Sequence, residues 1–181
     1  LARRYNLPWR SSNACAASTF DAQAAYESEM SIWSTVMGHC NFVIHGGGWL
    51  EGGLTASFEK LIIDAEMLQM SSEILRPIEI NDETLGLDAY REVGPGGHFF
   101  GAADTLKRYE TAFYSPLVSD WQNFENWSDR GSQTATQRAN QIWKQLLVSY
   151  EPPELNPDLL SELEAFVDRR TTEIAHTHRT S

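Results

Sequence analysis

The chain has 181 residues, 41% of them hydrophobic and 22% charged, a balance that suits a water-soluble globular protein of one domain or two small ones. A formal net charge of -11 leaves no clustered Lys and Arg for a phosphate-binding face, so no nucleic-acid partner is expected and at most a cationic one. No apolar run approaches the roughly 20 residues of a membrane span, and no membrane partner is expected.

LARRYNLPWR opens on Leu1 without an apolar signal core, so a fragment or a processed product is expected. Residues 7 to 14, LPWRSSNA, pass from apolar to small polar, as a strand running into a loop does. Asp21 then caps a helix from Ala22 to about Gly38, with Ala22, Tyr26, Met30, Trp33 and Met37 at helical spacing. NFVIH is too short for a helix and rich in β-branched and aromatic residues, which predicts a buried strand. A second helix is expected from near Thr55, with Phe58, Leu61, Ile62, Ala65, Leu68 and Ser72 as its inward stripe.

Strand, helix, strand and helix at short intervals read as parallel βα units, whose loops at the strand C-termini carry chemistry. NDETLGLDAYREV reads as one capped helix, GPGG as a turn and HFFG as a short apolar segment. Asp104 is expected to cap a helix, and another to run from about Thr134 to Tyr150. Asn156 then caps and Pro157 opens the last helix. The fold class is therefore α/β, in two parts: residues 1–80 hold βα units, and residues 81–181 a remaining segment and a helical tail. Too few strands are visible to close a barrel of about 250 residues, so this chain is expected to be a piece of a larger enzyme. Exposed strand faces would then favour self-association, a homo-oligomer.

The candidate chemistry gathers in two glycine-flanked stretches. In GGGWLEGG, Gly47 and Gly48 permit close approach of a ligand or of another backbone. Bulky Trp49 and Leu50 stand where a dinucleotide phosphate would need bare amides, so a phosphate site is not expected. A tight βα turn with Trp49 packed at the rim accounts for the stretch equally well. His45 ends the predicted strand, where side chains face an active-site mouth; bonding a loop carbonyl is its other reading. Glu51 is either an anionic wall for a cationic ligand or a solvated loop carboxylate.

GPGGHFFG places His98 beside Phe99 and Phe100. Aromatic faces near a carboxylate suit a quaternary ammonium group, although core packing of at least one phenylalanine remains open. No C-x-x-C or H-x-x-x-H spacing supports a metal site, and Cys15 and Cys40 have no motif of a nucleophile. Two cysteines are too few for a disulfide scaffold, and reduced thiols in a cytoplasmic protein are expected. His176 and His178 are expected to be solvent-exposed.

The segments NFVIHGGGWLEGGLTASFEKLIIDAEML, GPGGHFFGAADTL and FYSPLVSDWQNFENW, with DAQAAYES and WKQLLVSYEPP, resemble the trimethylamine methyltransferase family of corrinoid-dependent enzymes. The resemblance runs from about Leu7 to Arg170. It implies the C-terminal part of a (β/α)8 TIM barrel followed by a helical tail. It also implies transfer of a methyl group from a methylated amine to the cobalt of a partner corrinoid protein. The chain has no D-x-H-x-x-G motif, which fits cobalamin carried by that partner.

Archaeal trimethylamine enzymes carry pyrrolysine just before the DAQ helix. SSNACAASTFDAQ holds ordinary residues only, which argues for a quaternary substrate resembling glycine betaine, already activated for loss of a neutral amine. The expected roles are His45, Glu51 and His98 as catalytic residues, with Trp49, Phe99, Phe100, Gly47 and Gly48 binding substrate. A non-catalytic quaternary-ammonium binding protein, or a methyltransferase for trimethylamine or another methylated amine, is the alternative.

Overall fold

A computed structural model describes residues 1–13 and 15–177. The expectation for His176 and His178 concerns side chains outside those described. The described residues form a mixed α/β structure, mostly helical, with two small two-stranded sheets. They fall into two units, Leu1–Leu146 and Leu147–Ser181.

Strand β1 (Arg10–Ser12) and strand β2 (Phe42–Ile44) pair in parallel, with Ser11 opposite Val43, and helix α1 (Ala22–Met37) makes the crossover between them. The parallel βα reading holds for this unit. The Asp21 carboxylate accepts the amides of Gln23 and Ala24, which satisfies donors that a helix start leaves open.

The inner face of α1 is not its apolar stripe. Ala24, Ser28, Ile32 and Thr35 are buried, whereas Tyr26, Met30, Trp33 and Met37 are exposed. The cause is close packing through hydroxyls: Ser31 donates to the Ser12 carbonyl at 2.8 Å, and Thr35 to the Ser11 hydroxyl at 3.0 Å. Small polar side chains let the helix lie against β1 while keeping buried polar groups paired.

The glycine stretch forms a miniature hairpin rather than a simple turn. Strand β3 (Trp49–Leu50) pairs antiparallel with β4 (Thr55–Ala56) across a single 3-10 turn, Glu51–Gly53. Helix α2 (Phe58–Ile74) therefore starts three residues later than the apolar pattern suggests, with Ser57 as its cap.

Its expected inward stripe is likewise corrected. Lys60, Ile62, Asp64 and Glu66 are buried, and Phe58, Leu61 and Leu68 are exposed. The buried charges are paired: Lys60 with Asp64, while the Glu66 carboxylate accepts the amides of Val118 and Ser119.

Gly86, at φ 61°, divides the expected single helix into α3 (Asp82–Leu85) and α4 (Leu87–Val93). Asn81 and Thr84 bond each other's backbone amides in a capping box. Helix α5 (Ala103–Arg108) follows, and Asp104 lies inside it, bonding Arg108 at 2.7 Å rather than capping. The carboxylate that receives the Ala103 amide is Glu92, at 3.2 Å.

Helix α6 (Phe124–Asp129) precedes α7 (Ala135–Val148). Ala139 and the partly buried Ile142 and Trp143 of α7 pack with Ile62 and Val118, which joins α2 and α7 in one core. In the second unit, α8 (Pro157–Thr177) opens at Pro157, with the Asn156 side chain accepting the Asp158 amide at 2.9 Å.

Candidate active site

The ends of β1 and β2 are stitched together by the loops that leave them. After β1, the Asn13 amide donates to the His45 carbonyl at 3.3 Å and its side-chain Nδ2 to the Gly46 carbonyl at 2.9 Å. The Cys15 thiol donates to the Trp49 carbonyl at 3.4 Å. In return, the amides of Glu51 and Gly52 donate to the carbonyls of Ala17 and Cys15, at 3.0 and 2.7 Å. Beneath these bonds Cys15, Ala17, Ala24 and Leu50 form a small core. The Glu27 carboxylate bonds Gln23 and clamps the amides of Ala16 and Ala17, and these bonds lower its pKa.

This lattice fixes the candidate residues of the glycine stretch. His45 is exposed, sits at φ 56° and presents its ring edge-on to Trp49 with centroids 5.1 Å apart. Trp49 lines an open groove with Gly47, Gly48, Ala56, Ser57, Phe58 and Leu61. Glu51, at φ 51°, is exposed and accepts the Thr55 hydroxyl at 2.7 Å, so its carboxylate faces the hairpin mouth.

The glycines serve backbone contact. A Cβ on Gly47 would stand 3.1 Å from the Asp64 Cβ, and one on Gly48 3.1 Å from the Leu61 Cβ. Bare backbone thus lies directly on α2. At Gly52 and Gly53 a Cβ would meet nothing within 4 Å, so that rim of the hairpin is open.

The second stretch is built differently. Phe99 packs edge-on against Tyr90 of α4 with ring centroids 5.3 Å apart, and His98 lies 5.7 Å from the Phe100 ring. Phe99 is 42% exposed and Phe100 84%, so the latter is free of any core. Among the described residues, no hydrogen bond, ion pair or ring contact joins His98, Phe99 or Phe100 to the Trp49 groove. The ring set against Trp49 is His45.

Two features escaped the sequence reading. Asn13 is fully buried, and its Oδ1 has no partner among the described residues. Beneath the glycine loop, Asp64 Oδ2 accepts the Gly48 amide at 2.8 Å and pairs with Lys60, which also donates to the Ser28 hydroxyl at 2.8 Å. Burial raises the Asp64 pKa, against the opposing pull of its bonds to Lys60 and Gly48. The signal available in the sequence was K-x-x-x-D, an i, i+4 pair whose spacing puts both charges on one helix face. Among the described residues no group of three His, Cys, Asp or Glu stands close enough to hold a metal ion. None of the described helices is long and apolar enough to cross a membrane.

The chain belongs to the trimethylamine methyltransferase family, whose model matches residues 1–175. It is 36% identical over 175 residues to a glycine betaine methyltransferase of Desulfitobacterium hafniense (strain Y51), covering 96% of this chain and 36% of that protein. A trimethylamine methyltransferase of Desulfitobacterium hafniense (strain DSM 10664 / DCB-2) is 32% identical, covering 96% of this chain and 35% of its own length. A trimethylamine methyltransferase of Methanosarcina mazei is 30% identical, covering 93% of this chain and 34% of that protein. The chain thus spans about a third of the length of the curated relatives it matches.

Proposed function

We propose that this chain is part of a corrinoid-dependent methyltransferase that takes a methyl group from a quaternary amine resembling glycine betaine. The reading includes a (β/α)8 barrel, of which β1, α1, β2 and α2 are successive βα units, followed by a helical tail. The observation that carries it is His45, directly after β2, set edge-on to the Trp49 ring just past the end of the parallel pair, with Glu51 in the turn that follows β3; that edge is where such folds hold substrate. The relative named for glycine betaine supports the substrate class.

A quaternary ammonium offers no N–H, so its recognition falls to ring faces and carboxylates. In this reading the Trp49 ring and the Glu51 carboxylate receive the cationic head, and His45 bonds a substrate carboxylate. Phe99, Phe100 and His98 complete the box only through the fold of the intact protein. A corrinoid held by a partner protein would supply the Co(I) nucleophile for the methyl group. Gly52 and Gly53, where an added Cβ would meet nothing within 4 Å, leave that part of the rim open to a partner. What this chain contributes is orientation and exclusion of water, since the leaving amine departs neutral and needs no proton.

The thiols of Cys15 and Cys40 are free, which supports a cytoplasmic setting. The reading also includes a homo-oligomer, which light scattering of the intact protein would reveal as a mass above one chain. Trimethylamine is the second substrate reading, favoured by the relatives named for it.

The test is methylation of cob(I)alamin on the partner corrinoid protein, followed by absorbance, with glycine betaine, trimethylamine and related amines offered singly to the intact protein. Turnover with a quaternary amine alone supports the proposal. Turnover with trimethylamine alone moves the substrate to the second reading. Tight calorimetric binding of a quaternary amine with no methylation makes the protein a binding protein instead.

A further inference from the structure

Asp64 sits where it can govern the candidate site without touching substrate. Its Oδ2 receives the Gly48 amide at 2.8 Å, and the Gly48 carbonyl accepts the amide of Ser57, the α2 cap, also at 2.8 Å. Both backbone polar groups of Gly48 are therefore held, the N–H by Asp64 of α2 and the carbonyl by Ser57, the cap of that helix, and the next residue is Trp49. Gly47 and Gly48 lie so close to Asp64 and Leu61 that an added Cβ at either would stand 3.1 Å from the nearer side chain.

The carboxylate is itself fixed. Lys60, fully buried, donates to Asp64 and to Ser28 on α1. The loop is thus referenced to both helices of the βα units.

A buried ion pair stabilises a fold little more than apolar side chains of similar size would, and often less. What apolar side chains cannot do is accept the Gly48 N–H. That amide is buried, at φ 84°, and has the carboxylate oxygen as its acceptor. Leaving it unpaired would drive the loop to another arrangement.

We propose that Asp64 is a positioning residue for the candidate site, holding the Gly48 peptide and through it the Trp49 ring, with Lys60 and Ser28 holding Asp64. The inference rests on the reading of Trp49 as part of the methylammonium site. Its anchoring half stands apart from that reading.

Two double variants of the intact protein separate the roles. Lys60→Met/Asp64→Asn removes the charges but keeps a carbonyl acceptor for Gly48. Lys60→Met/Asp64→Leu removes the acceptor as well. Hydrogen exchange is expected to show Gly48 exchanging at least about tenfold faster in the leucine variant, with the amides of α1 and α2 still protected. The asparagine variant is expected to hold Gly48 within about threefold of the wild-type rate. With the amine that the parent enzyme uses, kcat/KM falls about 10- to 100-fold in the leucine variant, mostly in kcat, and less in the asparagine variant.

Equal Gly48 exchange in the two variants would overturn the anchoring, and equal activity would overturn the positioning role. If the wild-type protein methylates cobalt with no amine, the functional reading fails, while the exchange comparison still decides whether Asp64 anchors the loop. Lys60→Met/Asp64→Ser, whose hydroxyl is too short to reach Gly48, replaces the leucine variant should that one not fold.

Discussion

Asn13 Nδ2 donates to the Gly46 carbonyl at 2.9 Å, so the chain leaving β1 is tied to the chain leaving β2 just past the ends of both strands. Because the side chain is fully buried, this tie is shielded from competing water. Asn13→Ala leaves the Gly46 carbonyl unpaired and is expected to cost about 1–3 kcal/mol in denaturant melts. Asn13→Asp can keep the bond only as a neutral acid, which raises its folded-state pKa above the unfolded value near 3.9. That variant should be destabilised at pH 7 and recover as pH falls toward about 4, the reverse of ordinary acid denaturation.

Gly48 and Gly52 both have positive φ, yet alanine should act differently at the two. At Gly52 the new methyl meets open space, and only the left-handed backbone costs, roughly 1–2 kcal/mol. At Gly48 it also meets Leu61 at 3.1 Å and disturbs the bond to Asp64. Thermal melts should therefore show the larger loss for Gly48→Ala, and equal losses would mean that the loop does not lie on α2 as described.

Glu59 fastens α7 to the start of α2. Its Oε1 accepts Asn140 Nδ2 at 2.6 Å and Trp143 Nε1 at 2.8 Å, and the Asn140 and Trp143 bonds hold its pKa down to about 2, against an ordinary 4.5. A carboxyl with a depressed folded-state pKa adds stability above the unfolded value and loses it on acidification. The contribution is complete above about pH 4.5 and disappears as pH falls toward 2. Glu59→Gln should flatten stability across that window. Because Trp143 stacks on Phe58 with centroids 4.9 Å apart, Glu59→Ala, which removes the acceptor itself, should also loosen one wall of the Trp49 groove.

Trp49 and Glu51 carry the recognition of a cationic head in the proposed function. Trp49→Leu is expected to weaken calorimetric binding of the quaternary amine about 5- to 30-fold, the worth of a desolvated cation–ring contact. Glu51→Gln keeps the Thr55 bond and removes the charge, so a smaller loss that shrinks with salt is expected. Wild-type affinity in both variants would remove the groove from the substrate site.

Local signals in the sequence were legible where one side chain acts on its own neighbours. Asp21, Asn81 and Asn156 each bond amides two or three residues ahead, and each was readable as a helix start. The parallel β1–β2 pair was readable because its crossover helix is long and sharply capped. What misled was the rule that apolar residues face inward. In α1 and α2 the buried faces hold Ser28, Thr35, Lys60 and Glu66 beside Ala24, Ile32 and Ile62, and those four polar side chains have partners 24 to 53 residues away. No periodicity announces such pairing.

The β3–β4 hairpin was hidden for another reason, since two-residue strands hold too few positions to alternate. Among the candidate site residues, His45, Trp49 and Glu51 were singled out by their glycines. Asn13 and Asp64 were not, because a lone amide and a helical carboxylate look ordinary until their backbone partners are known.

The hydroxyl-lined inner face of α1 has a consequence during synthesis. Ser28 has its Lys60 partner 32 residues further along, which a ribosome adding 5–20 residues per second supplies roughly 2–6 s later. Through that interval Ser28 has no ammonium to bond, and α1 is held only by the bonds of Ser31 and Thr35 to the residues of β1. The β1–α1 pair therefore gains the last of its buried polar partners from chain made seconds after itself.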